Sequence, residues 1–436
     1  MKPLMMKFGG TSVQTAEQRR RAAERAVQAK QEGFAPVVVV SAMGRKGEPY
    51  ATDTLVSLLD ESSPAVQPRE KDLLMACGEI ISTVVMAHLI GTVGPYPSVA
   101  LTGGQAGIMT DRAFGQARIL AIDPARVQRA LDEDLIPVVA GFQGVTRSPD
   151  EHEHGAITTL GRGGSDTTAS ALGAALHAAE VRIFSDVPGI MTADPKIVPH
   201  ARTLRCVTYE EICEMAHQGA RVLHPRCAQI AMDYHIPLRV LATMGTDDVG
   251  TLIVREPTRS RDREHGATAV ANSQVVVPLS LTVGEAADKP EAEREILMRL
   301  ADADISVYFV SSTAQTLSFV INKDVLDGAR QALHDIHIPV QTPGAARAAD
   351  RRATSLQVGS DAVIVSVIGR GLQRVPGIMA RAAEALETAG IEIRQVAGSA
   401  NALSCLVPAE RRDEAVRSLH DKFHLHLLDE EQAASS

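Results

Sequence analysis

PVVVVSAMG, residues 36–44, opens with a run that offers no polar face, and that run decides the fold class. A strand with one wet face alternates polar and apolar residues, whereas a strand in a parallel sheet covered by helices is apolar on both sides. Similar runs recur at Ile136 to Ala140, Val181 to Asp186 and Ile236 to Leu241, with helical stretches between them. Upstream, a strand at Leu4 to Phe8 leads into a charged amphipathic helix from about Thr15 to Glu32. This order predicts an α/β domain, a doubly wound and mainly parallel sheet, over residues 1–255.

Residues 256–274 mix charges with small side chains and read as a linker. Beyond it the chain repeats itself. Moving residues 300–337 forward by 86 positions places Leu300 on Leu386, Ile305 on Ile391, Leu317 on Leu403 and Leu333-His334-Asp335 on Leu419-His420-Asp421. Ser280 and Ser366, and Pro290 and Pro376, keep the same offset. The unit reads as strand, proline-led loop, helix, two strands, helix and a last strand, a βαββαβ pattern in two copies at 275–349 and 360–436. Such a unit exposes a sheet edge that invites pairing with its twin or with another chain.

The 436-residue chain carries a formal charge of −9 without a dense basic block, which argues against a nucleic-acid partner. No early apolar run has signal-peptide length and no stretch reads as a membrane span, so a cytoplasmic protein is expected. Five cysteines without CxxC spacing read as reduced packing residues.

Four clusters carry chemistry. In KFGGTS, residues 7–12, Gly9 and Gly10 fall where a strand ends, and Lys7 brings a mobile positive charge; Thr11 and Ser12 are candidate helix caps. In GRGGSDTT, residues 161–168, a glycine loop runs into an alanine-rich helix. Ser165 and Asp166 stand at its start, where Asp166 suits the helix dipole, and Arg162 is placed to fork a carboxylate or phosphate. Ser185 and Asp186 emerge at a buried strand's end, suited to ribose or base. Ser41, Thr52, Asp53 and Glu79 form the last group; singly, each also suits a cap or a surface position.

Neither GxxxxGK[ST] nor GxGxxG is present, which points to a different phosphate-binding α/β fold. His152 and His154 lack partner ligands at metal spacing and read as a solvated loop, so no protein metal site is expected.

Taken in order, Lys7 to Val13, Ser41 to Gly44, Thr52-Asp53, Gly78-Glu79, Gly161 to Thr168, Ser185-Asp186 and Gly219 to Pro225 (GARVLHP) resemble the aspartate kinase family over essentially the whole chain. The Gly44 to Leu55 segment is most similar to the single-function, diaminopimelate-responsive type of Gram-positive bacilli. The resemblance implies the amino-acid kinase fold followed by two ferredoxin-like ACT domains. It implies ATP-dependent phosphorylation of the aspartate side chain, the first step towards lysine, threonine and methionine.

Carried over position by position, Lys7, Gly9 and Gly10 hold the transferred phosphoryl group, with Thr11 beside them, and Ser41 lines the nucleotide phosphates. Asp166 orients Lys7. Thr52 and Arg162, with Ser165, take the α-carboxylate of aspartate, and Glu79 takes its ammonium. Ser185 and Asp186 meet the adenosine, with Met191, Lys196 and Arg221 nearby, and Mg2+ bridges the phosphates. Asp288 falls in the effector loop for lysine, threonine or diaminopimelate, and a homodimer or homotetramer through the ACT domains is expected.

Three positions depart from the family pattern: Met191 stands where tyrosine is frequent, Lys196 replaces arginine and Arg221 replaces lysine. Glu291 and Tyr308 are unusual in the first repeat. Two other readings stay open: a kinase of another amino acid, such as glutamate or acetylglutamate, and a non-catalytic amino-acid sensor.

Overall fold

The runs that are apolar on both faces form the centre of one eight-stranded sheet. Its order is Cys206–Thr208, Thr251–Val254, Leu238–Ala242, Glu180–Ser185, Lys2–Phe8, Phe34–Val40, Ile136–Ala140, Ser98–Leu101. Every neighbouring pair is parallel except Leu238–Ala242 with Thr251–Val254. The computed structural model describes all residues except 63–65, 148–154, 221–222, 246–248, 257–265, 283–288, 335–336, 340–350, 354–355 and 428–436, with backbone alone at 62, 337–339 and 351–353.

Alternation sorts the strand residues between two helical layers. Leu4, Met6, Phe8, Val38 and Val40 join a core with Ala22, Ala26, Met86 and Ile90, from the helices Ala16–Gln31 and Pro68–Val93. On the other face, Met5 approaches Gly173 of the helix Gly164–Ala175, which is buried at all but its last residue. The first helix begins where Thr15 and Gln18 close a capping box.

Pro68–Val93 is long and apolar enough to cross a membrane by length and composition. Here it is a core helix, holding the buried acid Glu79 against the strand-end turn at Ala42 and the buried acid Asp72 against Gly115 and Thr159. A second, four-stranded sheet joins Ile119–Ile122, Ile108–Thr110, Gln143–Thr146 and Ile157–Thr159.

The chain divides into two compact units. The first comprises Met1–Met191, Thr203–His217 and Arg221–Arg261; the second comprises Thr192–Arg202, Gln218–Ala220 and Asp262–Ser436. In the second unit the sequence repeat is a structural one. Val276–Thr282 and Ala362–Ile368 start the two copies, and Thr316–Asn322 and Ala402–Pro408 match at the same 86-residue offset. Both copies lie edge to edge in one sheet, in the order Tyr308–Ser312, Thr316–Asn322, Val276–Thr282, Ala362–Ile368, Ala402–Pro408, Gln395–Gly398.

The closing strands are interleaved. Leu356–Val358 pairs with the first strand of copy one, and Ala269–Asn272, inside the stretch read as linker, pairs with the first strand of copy two. The last described element of copy two is a 3-10 turn, Leu425–Leu427. Ala269–Asn272 is too short for alternation to show, and three of its four residues are buried by pairing.

Candidate active site

The first unit's polar clusters meet at the carboxyl ends of its central strands, where helix N-termini and unpaired N–H groups gather in an open α/β sheet. Lys7 is the penultimate residue of the strand Lys2–Phe8, and its Nζ is 2.6 Å from Asp166 Oδ1. Both side chains are largely enclosed. Gly9 and Gly10 follow. A Cβ on Gly10 would lie 2.7 Å from the Ala42 carbonyl oxygen, so only glycine lets this turn touch the next one. The Gly44 N–H donates to Gly10 O at 3.1 Å and the Ser41 N–H to Phe8 O at 3.1 Å, which ties the two strand ends together.

The capping role suggested for Thr11 and Ser12 is not what forms. Residues Gly10–Ser12 make a short 3-10 turn entered from Gly9 without a side-chain cap. Ser12 is buried and donates to Phe184 O at 3.1 Å, while Thr243 Oγ1 donates to Ser12 Oγ at 2.7 Å. Phe8 and Phe184 stack at 4.5 Å beneath the loop.

Glu79 projects from mid-helix into the same turn. The Ala42 N–H donates to its Oε1 at 3.1 Å, and its Oε2 is buried with no hydrogen-bond partner. The preceding Gly78 makes this reach possible, since a Cβ there would sit 2.8 Å from Ala42 Cβ and 3.0 Å from Tyr50 O. Burial pushes the Glu79 carboxyl up to about 8, with the Ala42 N–H opposing the shift. Thr52, half-buried, opens the helix Thr52–Ser62 that follows this turn, with Asp53 exposed beside it.

In the glycine loop, Gly161 and Gly163 take left-handed backbone (φ +76° and +71°). Gly163 enters the helix without a side-chain cap, so Asp166 pairs with Lys7 rather than capping. Ser165 is buried against Gly141, and Arg162 is exposed. A Cβ on Gly163 would strike the His224 ring, which Asp166 influences by charge, while burial lowers the pKa of His224.

Ser185 ends its strand and donates to Asp186 Oδ1 at 3.2 Å; Asp186 also holds exposed Arg45 at 3.0 Å. Met191 pairs with Thr203 in an isolated bridge. Lys196 is exposed on Thr192–Arg202, a stretch of the second unit. Arg221 and Asp288 lie outside the described residues.

Three contributors escaped the sequence reading. Asp72 accepts from Gly115 N at 2.9 Å, Thr159 N at 2.7 Å and Thr159 Oγ1 at 2.9 Å, which anchors the loop before the glycine turn. Arg45 and the Ser12–Thr243 pair are the others. Nothing local marks them, because their partners are distant in sequence. Among the described residues no disulfide forms, and the buried Cys227, in contact with Ser170, has its thiol pushed up by burial, an inert state.

This crevice, with its enclosed lysine–aspartate pair, glycine-lined turns and a buried acid, defines an amino-acid kinase. The model for the amino acid kinase family matches residues 2–242, and that for the ACT domain matches residues 365–423. Aspartokinase 1 of Bacillus subtilis is 39% identical over 433 residues, covering 98% of this chain and 100% of that protein. The aspartokinase of Mycolicibacterium smegmatis is 37% identical over 97% of this chain and 96% of its own. Escherichia coli aspartokinase III, solved with aspartate and ADP, has the same fold, with a TM-score of 0.74 at 24% identity over 96% of this chain and 99% of its own. The chain belongs to the aspartokinase family: it is an ACT-regulated enzyme that phosphorylates aspartate.

Proposed function

We propose that the crevice transfers the γ-phosphoryl group of ATP to the side-chain carboxylate of L-aspartate, with roles divided as follows. Lys7 and the N–H groups at Gly9 and Gly10 neutralise the moving phosphoryl group, and Asp166 fixes Lys7. Ser41 and Thr11 line the phosphates, and Ser185 with Asp186 meets the adenosine, beside Met191; Arg221 supplies further positive charge. Arg162 and Thr52 hold the α-carboxylate, with Ser165 behind them. The side-chain oxygen, already an anion at neutral pH, attacks γ-phosphorus in line; the bond to the β–γ bridging oxygen breaks and ADP leaves. Positioning and charge neutralisation supply the rate, and no general base is called for.

The observation that carries this reading is Glu79: a buried carboxylate with one oxygen spent on Ala42 N–H and the other unpartnered. An unsatisfied buried acceptor costs free energy until a donor arrives, and the α-ammonium of an amino acid is such a donor. Magnesium fits the donor set in the way it usually binds nucleotides, mostly through phosphates and water, because Asp166 is already engaged by Lys7 and no acidic cage is needed. When bound, it neutralises phosphate charge.

The ACT copies take an amino-acid end product, lysine, threonine or diaminopimelate. Their edge strands Tyr308–Ser312 and Gln395–Gly398 are mostly exposed, which suits pairing between chains in a homodimer or homotetramer. Substrates of this kind place the enzyme in the cytoplasm.

A coupled ADP-release assay with aspartate, glutamate and N-acetylglutamate tests the reading. Aspartate alone should support turnover, and Lys7→Ala should lower kcat at least about 1,000-fold. Turnover on glutamate alone, or full activity in Lys7→Ala, defeats it.

A further inference from the structure

We propose that His200, His420, Asp421 and His426 bind a divalent transition-metal ion, with zinc the best match, as a clip inside the second unit. The four offer ligand atoms that all lie within 4.8 Å of one another. His420 and Asp421 stand at the last turn of the helix Arg412–Lys422, and His426 follows in the turn Leu425–Leu427. Between them His424 takes left-handed backbone (φ +52°), which turns the chain back towards the helix end. His200 arrives from Thr192–Arg202, which belongs to the same unit although 220 residues separate it from His420.

The polar contacts are those of a ligand set. His200 Nε2 is 3.1 Å from Asp421 Oδ1, and His420 Nδ1 is 3.8 Å from the same oxygen. His420 is fully buried, yet its Nδ1 has no hydrogen-bond partner, and neither has the buried Nδ1 of His426. Buried ring nitrogens are ordinarily satisfied, so an orphan on each of two clustered histidines calls for a partner that the protein does not supply.

The other nitrogen of His420 is committed. Its Nε2 lies 3.0 Å from Thr192 Oγ1, an oxygen that also accepts the Arg202 N–H at 3.0 Å. With Thr192 accepting from Nε2–H, the Nδ1 lone pair is left open, the tautomer a metal needs and the outer hydrogen bond that metal-bound histidines usually make. Three imidazoles and one carboxylate suit zinc and its first-row neighbours and not magnesium. Tetrahedral bonds of about 2.0–2.2 Å set donors roughly 3.3–3.6 Å apart. The cluster therefore closes by about an ångström, through the exposed side chains of His200 and Asp421. A bound ion would fasten the chain's last described turn to the segment that carries Lys196.

The test uses the full chain, stripped with a chelator and dialysed. Titration with zinc by calorimetry should show one ion per chain, and cobalt should give the visible bands of tetrahedral nitrogen–oxygen ligation. The double variant His200→Ala/His426→Ala, with folding checked by circular dichroism, should lose both signals. Thr192→Val should keep the stoichiometry and weaken binding roughly 10- to 100-fold. Failure of the stripped wild type to take up either ion, uptake undiminished in the double variant, or cobalt–thiolate absorption from the cysteines would overturn the proposal.

Discussion

Two buried acids sit on one helix, seven residues and about two turns apart, and only one of them leaves an oxygen without a partner. Asp72 and Glu79 are both almost fully buried, at 1% and 3% exposure, and burial raises the pKa of each. Asp72 receives three hydrogen bonds, one from a hydroxyl and two from backbone N–H groups. Glu79 receives one and leaves an oxygen idle. Burial and a raised pKa are therefore common to both acids, and hydrogen bonding is what separates them. Asp72 is spent on holding the segment at Gly115 against the strand Ile157–Thr159, upstream of the glycine loop. Glu79 is held ready by the close approach that Gly78 allows.

The largest effect expected from this contrast is catalytic. Glu79→Gln should lower kcat/KM for aspartate about 100- to 1,000-fold, mostly through KM, while the protein folds at least as well as the wild type. Steady-state kinetics beside a denaturation curve reads both; a large loss of stability with intact kinetics would reverse the assignment. Asp72→Asn should do the opposite. An amide there can keep its oxygen on the two backbone N–H groups but loses the carboxylate charge that strengthens them and must donate to the Thr159 hydroxyl instead of accepting from it, so stability should fall by about 1 kcal/mol in chemical denaturation. Activity per folded molecule should stay within a few-fold of wild type.

The pH dependence sharpens the same contrast. To pair with an ammonium, Glu79 must shed the proton that burial favours, so kcat/KM for aspartate should climb with pH, at most about tenfold per unit, and level off above about 8. Glu79→Gln should flatten that limb and Asp72→Asn should not. Stability without substrate runs the other way. The folded-state pKa lies above the ordinary carboxyl value of 4.5, so this contribution is fully present below that value and is lost as pH rises through about 8. A thermal midpoint that rises over that window in the wild type relative to Glu79→Gln would contradict the shift.

The sequence made the sheet legible because its strands are buried on both faces, as in Phe34–Val40, and period alone reveals that. The two ACT copies were legible because an ungapped 86-residue offset survives from strand to helix. The crevice glycines were legible as turns, but their purpose was not. Gly10 and Gly78 are required because both press on Ala42, and no local pattern carries that information. Asp72, Arg45 and the histidine cluster were hidden for the same reason: each acts with partners far off in sequence, as His200 does with Asp421. Ala269–Asn272 read as linker because four residues are too few to show alternation.

The smallest effect tests the exposed end of the site. Arg162 sits on the glycine loop in contact with solvent, unlike either acid, so the grip on the α-carboxylate proposed for it would work against water and salt. Exposed ion pairs of this kind are worth about 0.2–1 kcal/mol. Arg162→Lys keeps the charge and removes the planar fork, so KM for aspartate should rise only about two- to fivefold, with kcat unchanged and the effect shrinking further at high salt. A loss as deep as that of Glu79→Gln would mean that the loop folds over bound aspartate and dries the contact. The ordering of buried over exposed contacts would then describe only the unliganded enzyme, and the glycines at 161 and 163, both in left-handed backbone, would be the hinge to substitute next.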